Sequence, residues 1–129
     1  MITGSCLCGK VTYQISGELG DIVHCHCETC RKAHGSAFSS VAAVNDNDFK
    51  LTGRESLGLY ESSPGKARYF CSSCGTQVYA KRDNTEHLVL RLGSLDSAIG
   101  SKEKNHIWVS QKANWYSIKN DLPEYQEFE

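Results

Sequence analysis

Apolar and polar residues alternate in one early stretch: Val11, Tyr13 and Ile15 fall on one side, Thr12, Gln14 and Ser16 on the other. A period of two belongs to a half-buried strand, so the pattern predicts a strand over residues 10–16. Gly17 and Gly20 end it, and Ile22 and Val23 lead into a cysteine-rich stretch. Residues 38–44, Phe-Ser-Ser-Val-Ala-Ala-Val, are uncharged and largely apolar, as suits a central strand. The run Asn45-Asp46-Asn47-Asp48 reads as a turn, because short polar side chains hydrogen-bond their own backbone. Strand-like segments recur at 49–52, 57–60, 67–70, 77–81, 88–92 and 106–109, broken by Gly53, Pro64 and Gly65 among others. Residues 28–34 alone have helical character, one or two turns, with Gly35 placed as a left-handed stop. Short strands separated by turns at this spacing predict an all-β (mainly β) fold with little helix. Nothing repeats and no composition shift divides the chain, so residues 1–129 are expected to form a single domain, with the acidic stretch 120–129 on its surface.

Composition narrows the function classes. The 129 residues carry 14 basic and 15 acidic side chains, a net charge of −1, and no long run of either sign. That balance offers no electrostatic footprint for nucleic acid or an anionic membrane surface. No apolar run approaches the roughly 20 residues that span a bilayer, and the start lacks the apolar core of a signal peptide. A cytoplasmic, reducing location is the expectation.

In that setting seven clustered cysteines argue for metal chemistry over a disulfide framework. Cys71-Ser-Ser-Cys74-Gly75 has the form of a zinc knuckle, in which a tight turn aims two sulfurs at one ion. Cys6-Leu-Cys8-Gly9 places two sulfurs on one side of an extended segment. Joined, these glycine-ended pairs complete a four-cysteine site across 62 intervening residues. Other divisions of the seven are possible, but this one keeps Cys25, Cys27 and Cys30 together. If His24 to Cys27 is extended, Cys25 and Cys27 share one face while His24 and His26 share the other. His34 is the rival fourth ligand, four residues from Cys30 on a helical turn. Without it, three thiolates leave an open position, the mark of a catalytic zinc. Arg31 follows the triple and is placed to offset its negative charge, whereas Lys32 reads as a solvated side chain.

Four motifs together closely resemble one family: Cys6-Leu-Cys8-Gly9-Lys-Val-Thr-Tyr13, Cys25-His-Cys27-Glu-Thr-Cys30-Arg-Lys, Phe70-Cys71-Ser-Ser-Cys74-Gly75-Thr76 and Leu92-Gly-Ser-Leu-Asp96. They are similar to the glutathione-dependent formaldehyde-activating enzymes, a family that also includes the centromere protein V type of domain. Residues 105–115 and Asp121-Leu122-Pro123 extend the resemblance over nearly the whole chain. It implies an Mss-four-like β-tent with two zinc ions per chain. Cys6, Cys8, Cys71 and Cys74 would hold a structural ion, and Cys25, Cys27 and Cys30 a second one. It further implies condensation of glutathione with formaldehyde, formally a carbon–sulfur lyase activity.

The expected function is therefore that of a zinc-dependent enzyme joining a small thiol such as glutathione to a small aldehyde. Cys25, Cys27, Cys30 and Arg31 would form its centre, and His106, Trp108, Lys112 and Trp115 are the candidates to line the substrate pocket. The alternative is a non-enzymatic two-zinc β scaffold for a protein partner or for metal carriage, since fold alone does not specify function.

Overall fold

The computed structural model describes residues 1–129 and is mainly β, with one α-helix. Ten strands run in chain order: β1 Ile2–Ser5, β2 Thr12–Ile15, β3 Ile22–Cys25, β4 Ser39–Asn45, β5 Phe49–Thr52, β6 Leu57–Ser63, β7 Lys66–Cys71, β8 Gln77–Arg82, β9 His87–Arg91 and β10 Glu103–Ile107. Helix α1, Glu28–His34, lies between β3 and β4. A three-stranded sheet has the order β1-β2-β5, and a seven-stranded sheet the order β10-β3-β4-β9-β8-β7-β6. All pairings are antiparallel except β10 with β3.

The alternation of β2 explains how the sheets meet. Tyr13 and Ile15 point inward with Val11 and pack on Val44, Val78, Tyr79, Leu88 and Leu90 of the larger sheet. Tyr13 closes its one polar end with a 2.7 Å hydrogen bond to Ser94 Oγ, as a buried hydroxyl must. The opposite face of the larger sheet carries Val23, Val41, Ala43, Ala80 and Val89, which line a cavity instead of meeting a second layer.

Most expected strands are present, and the departures have local causes. β1 has no counterpart among the strands read from the sequence: it is a short, mixed-polarity edge strand held by its ladder to β2. The last strand is shifted, from 106–109 to Glu103–Ile107, because Trp108 adopts φ 56° and ends the extended run. Residues 120–129 are tied along β10, with His106 N donating to Pro123 O and Tyr125 N to His106 O, both at 2.9 Å. No helix is long and apolar enough to cross a membrane.

Candidate metal centres and active site

Two groups of cysteine sulfurs assemble, each with its ligand atoms within 4.8 Å of one another: Cys6, Cys8, Cys71 and Cys74, and separately Cys25, Cys27 and Cys30. The first group joins the turn after β1 to the turn between β7 and β8. Gly9 and Gly75 both sit at φ 81°, the left-handed conformation that lets each turn close behind its cysteines. Val11 N donates to Cys6 Sγ at 3.3 Å, and Leu7 N to Thr76 Oγ1 at 3.0 Å, locking the two turns together. Thr76 Oγ1 lies 3.3 Å from Cys74 Sγ, and this hydrogen bond leads the causes that pull the Cys74 thiol down to about 5. Cys71 and Cys6 are buried. Every cysteine is a free thiol, and four sulfurs at this spacing fit the tetrahedral, sulfur-only donor set of a structural zinc site.

The second group is built by the junction of β3 and α1. Cys25 ends β3, and Cys27 caps α1, its Sγ accepting from Cys30 N at 3.2 Å. Cys30 stands one turn in and is the buried residue of the helix. Gly35, at φ 58°, ends the helix as its position suggests. The strand alternation turns His24 and His26 away from the sulfurs. His26 Nε2 is 2.8 Å from His106 Nδ1, and His24 lies 2.8 Å from Ser40 Oγ and 2.6 Å from Glu103 Oε1. Burial, with His106, His24 and Lys112 adding repulsion, pushes the His26 imidazole down to about 4. Its folded value thus lies below its ordinary one, so this contribution to stability is full above about pH 6.5 and is lost as pH falls through about 4. A proton NMR titration should find the His26 ring still neutral at pH 5; a midpoint near 6.5 would contradict this placement.

His34 does not join the triple. It is half-buried further along α1, its Nε2 enclosed without a partner, and desolvation followed by the Arg91 charge holds its imidazole down at about 4. The charge compensation expected of Arg31 also comes from elsewhere. Arg31 Nε donates to Gln111 O at 3.1 Å on the outer side of α1. Two buried guanidiniums, Arg68 of β7 and Arg91 of β9, are 4% and 3% exposed and face the sulfurs from below. Arg68 Nη2 donates to Cys30 Sγ at 3.7 Å and its Nε to Ser62 Oγ at 3.0 Å. Arg91 Nε and Nη2 have no partner, and no carboxylate meets either arginine. Burial and the neighbouring Arg68 lower Arg91 to about 10, while the three cysteines act to hold its charge. Cys30 is pushed far down by hydrogen bonds from Cys25 and Cys27, assisted by Arg91 and Arg68. Cys25 is correspondingly pushed up by its two sulfur neighbours. A buried cation needs a counter-charge, and thiolate sulfur is the one on offer here. Three sulfurs, no carboxylate and two guanidiniums therefore fit a soft divalent ion held as its thiolate complex.

A cavity of about 590 Å³ opens beside the triple, lined by Cys25, Cys27 and Cys30 together with the apolar face of the larger sheet. Of the four pocket candidates from the sequence, only Trp108 lines it. His106 is buried on the opposite face, because the parallel register sets it beside His24 and sets Ile107 beside Cys25. Lys112 turns back to its own chain, its Nζ donating to Ala113 O at 3.0 Å and to Tyr116 O. Trp115 is 70% exposed and lies away from the cavity. The residues that the sequence did not single out are Lys66, Arg68, Arg82 and Arg91. Each sits at a strand position whose alternation reads as solvent-facing. The available signal was a single guanidinium closing the otherwise apolar run Leu88-Val89-Leu90-Arg91-Leu92.

A mainly β domain with a four-sulfur cluster, and a three-sulfur cluster beside an open cavity, defines a narrow class of protein. Residues 1–111 match the family model described as glutathione-dependent formaldehyde-activating enzyme, and the chain belongs to that family. It is 34% identical over 76 residues to an uncharacterised lyase of Schizosaccharomyces pombe, covering 59% of this chain and 54% of that protein. It is 29% identical over 105 residues to a Podospora anserina protein provisionally named glutathione-dependent formaldehyde-activating enzyme, covering 78% and 48% of the two. The chain thus spans about half the length of these curated relatives. A crystal structure of a Rhodobacter sphaeroides protein superposes with a TM-score of 0.63 at 25% identity, covering 74% of this chain and 89% of that one.

Proposed function

We propose that the protein is a zinc-dependent carbon–sulfur lyase-type enzyme that adds glutathione, or a related thiol, to a small aldehyde such as formaldehyde. The observation that carries this reading is the three-sulfur cluster, balanced by buried Arg68 and Arg91, at the mouth of a cavity. Cys25, Cys27 and Cys30 would hold the second zinc, and Cys6, Cys8, Cys71 and Cys74 the structural one. When bound, the second ion supplies Lewis-acid stabilisation of a thiolate at neutral pH, where a free thiol near pKa 8.5 is mostly protonated.

The chain's own residues do the rest. Arg68 and Arg91 hold the cysteines in their anionic form and favour a further anion beside them. Lys66 and Arg82 share with Cys27 a side cavity of about 220 Å³, where cations suit the carboxylates of a peptide thiol. Trp108 walls both cavities and limits water at the reacting sulfur. In the reaction the sulfur forms a bond to the carbonyl carbon, the C=O π bond opens, and the thiol proton ends on the new hydroxyl oxygen. The Mss-four-like description of the fold and its two-zinc staple belong to the same reading.

The test is a ¹³C exchange NMR measurement on labelled formaldehyde with excess glutathione. The zinc-loaded protein is expected to accelerate exchange between the aldehyde hydrate and the S-hydroxymethyl adduct. Exchange no faster than in buffer would remove the lyase reading.

A further inference from the structure

Antiparallel sheets that face water usually show it polar residues. The seven-stranded sheet departs from this next to the cysteine triple. Along β3, β4, β8 and β9 the positions alternating with the core residues are Val23, Val41, Ala43, Ala80 and Val89, and they form the floor of the 590 Å³ cavity. Ala43 is exposed and Val23 and Val89 are half-buried, while Val41 and Ala80 are 8% and 0% exposed. From the Arg91 end to the His87 end the floor runs four residue steps of β9, roughly 13 Å. Formaldehyde, with a single carbon, would leave this surface unused.

Charge is arranged differently from apolarity. Arg68 and Arg91 face the triple with Lys66 near Arg68, whereas Arg82, two residues beyond Ala80, joins Asp21, His87 and Lys104 around the far rim of the cavity; Lys66, Arg68, Arg82 and Arg91 meet no carboxylate. Anionic groups are therefore suited to the sulfur end, and an apolar chain to the floor leading away from it.

We propose that this groove holds the hydrocarbon chain of an aldehyde larger than formaldehyde. The thiol's sulfur sits at the triple and its carboxylates on the surrounding cations. The inference rests on the lyase-type reading above and specifies its second substrate. The bookkeeping of atoms is that of a simple addition: the thiol S–H adds across the aldehyde C=O, the C–S bond forms, the π bond breaks and the proton passes to oxygen.

Isothermal titration of the zinc-loaded protein with S-methyl, S-propyl, S-butyl and S-hexylglutathione tests the groove without requiring turnover. These thioethers present the same peptide and a growing chain at the position of the adduct carbon. Affinity is expected to rise about two- to fourfold per methylene, the gain for burying a CH₂ on a half-open surface. Val89→Asp on the floor should flatten the series. A flat series in the wild-type protein overturns the proposal, as does a dimer in sedimentation whose interface covers this face. In the NMR assay, acceleration with formaldehyde but not with butanal or hexanal overturns the larger-aldehyde proposal and leaves the lyase reading standing. A rising thioether series with no acceleration for any aldehyde supports the groove and removes the lyase reading instead.

Discussion

Replacing Cys71 by serine is expected to abolish the cooperative thermal transition of the domain. Cys71 is fully buried at the end of β7, with its backbone bonded to both ends of its turn: Cys71 N donates to Thr76 O and Gly75 N to Cys71 O. Its sulfur lies 3.7 Å from that of Cys8, so it ties the N-terminal turn to the β7–β8 turn. Structural zinc contributes roughly 10–16 kcal/mol in small peptides, which matches or exceeds the roughly 5–15 kcal/mol total stability of a domain. A hydroxyl is a poor zinc ligand at neutral pH, so the variant loses most of that contribution. Circular dichroism melts measure the effect, and treatment of the wild-type protein with a strong chelator should reproduce it. A variant melting within a few degrees of wild type would show that this cluster does not hold the fold together.

Cys27→Ser is expected to have the opposite signature: the fold survives and the chemistry is lost. Cys27 is half-buried and serves as the N-cap of α1, a position where serine is among the best residues, so the helix start is retained. The three-sulfur cluster, however, loses one of its donors. Zinc content should fall from about two ions per chain to about one. The heat of glutathione binding should disappear, and the melting temperature should stay within about 5 °C of wild type. Retention of two zinc ions with unchanged glutathione heat would take Cys27 out of the centre. The contrast between the two substitutions matters more than either alone, because it separates an ion that holds the fold from one that serves the site.

Much of this architecture was legible in the sequence. The alternation around Tyr13 is local and clean, and the cysteine spacings assign their partners with little competition. The two glycine-ended pairs find each other, and the contiguous triple stays together. Parity alone turns His26 away from the sulfurs, and the structure buries it against His106. What escaped depends on long-range placement. Arg68 and Arg91 look like solvent-facing residues on their strands, and become buried counter-charges because α1 and the triple lie over them. His106 and Trp108, two residues apart, are both pocket-lining candidates in the sequence. The parallel register of β10 with β3 and the positive φ of Trp108 send them to different faces. Arg31 was favoured for its adjacency to the triple, but the outer side of α1 takes it away to Gln111.

The central claim is that the second centre has three protein sulfurs and an exchangeable fourth position. Zinc X-ray absorption on the two-zinc protein, with and without glutathione, tests it most directly. One four-sulfur and one three-sulfur site average about 3.5 sulfurs per zinc, rising to about 4 when a thiol occupies the open position. A value that stays constant on adding glutathione, with the outer-shell scattering of a coordinated imidazole, would mean that His34 closes the site and would contradict the account.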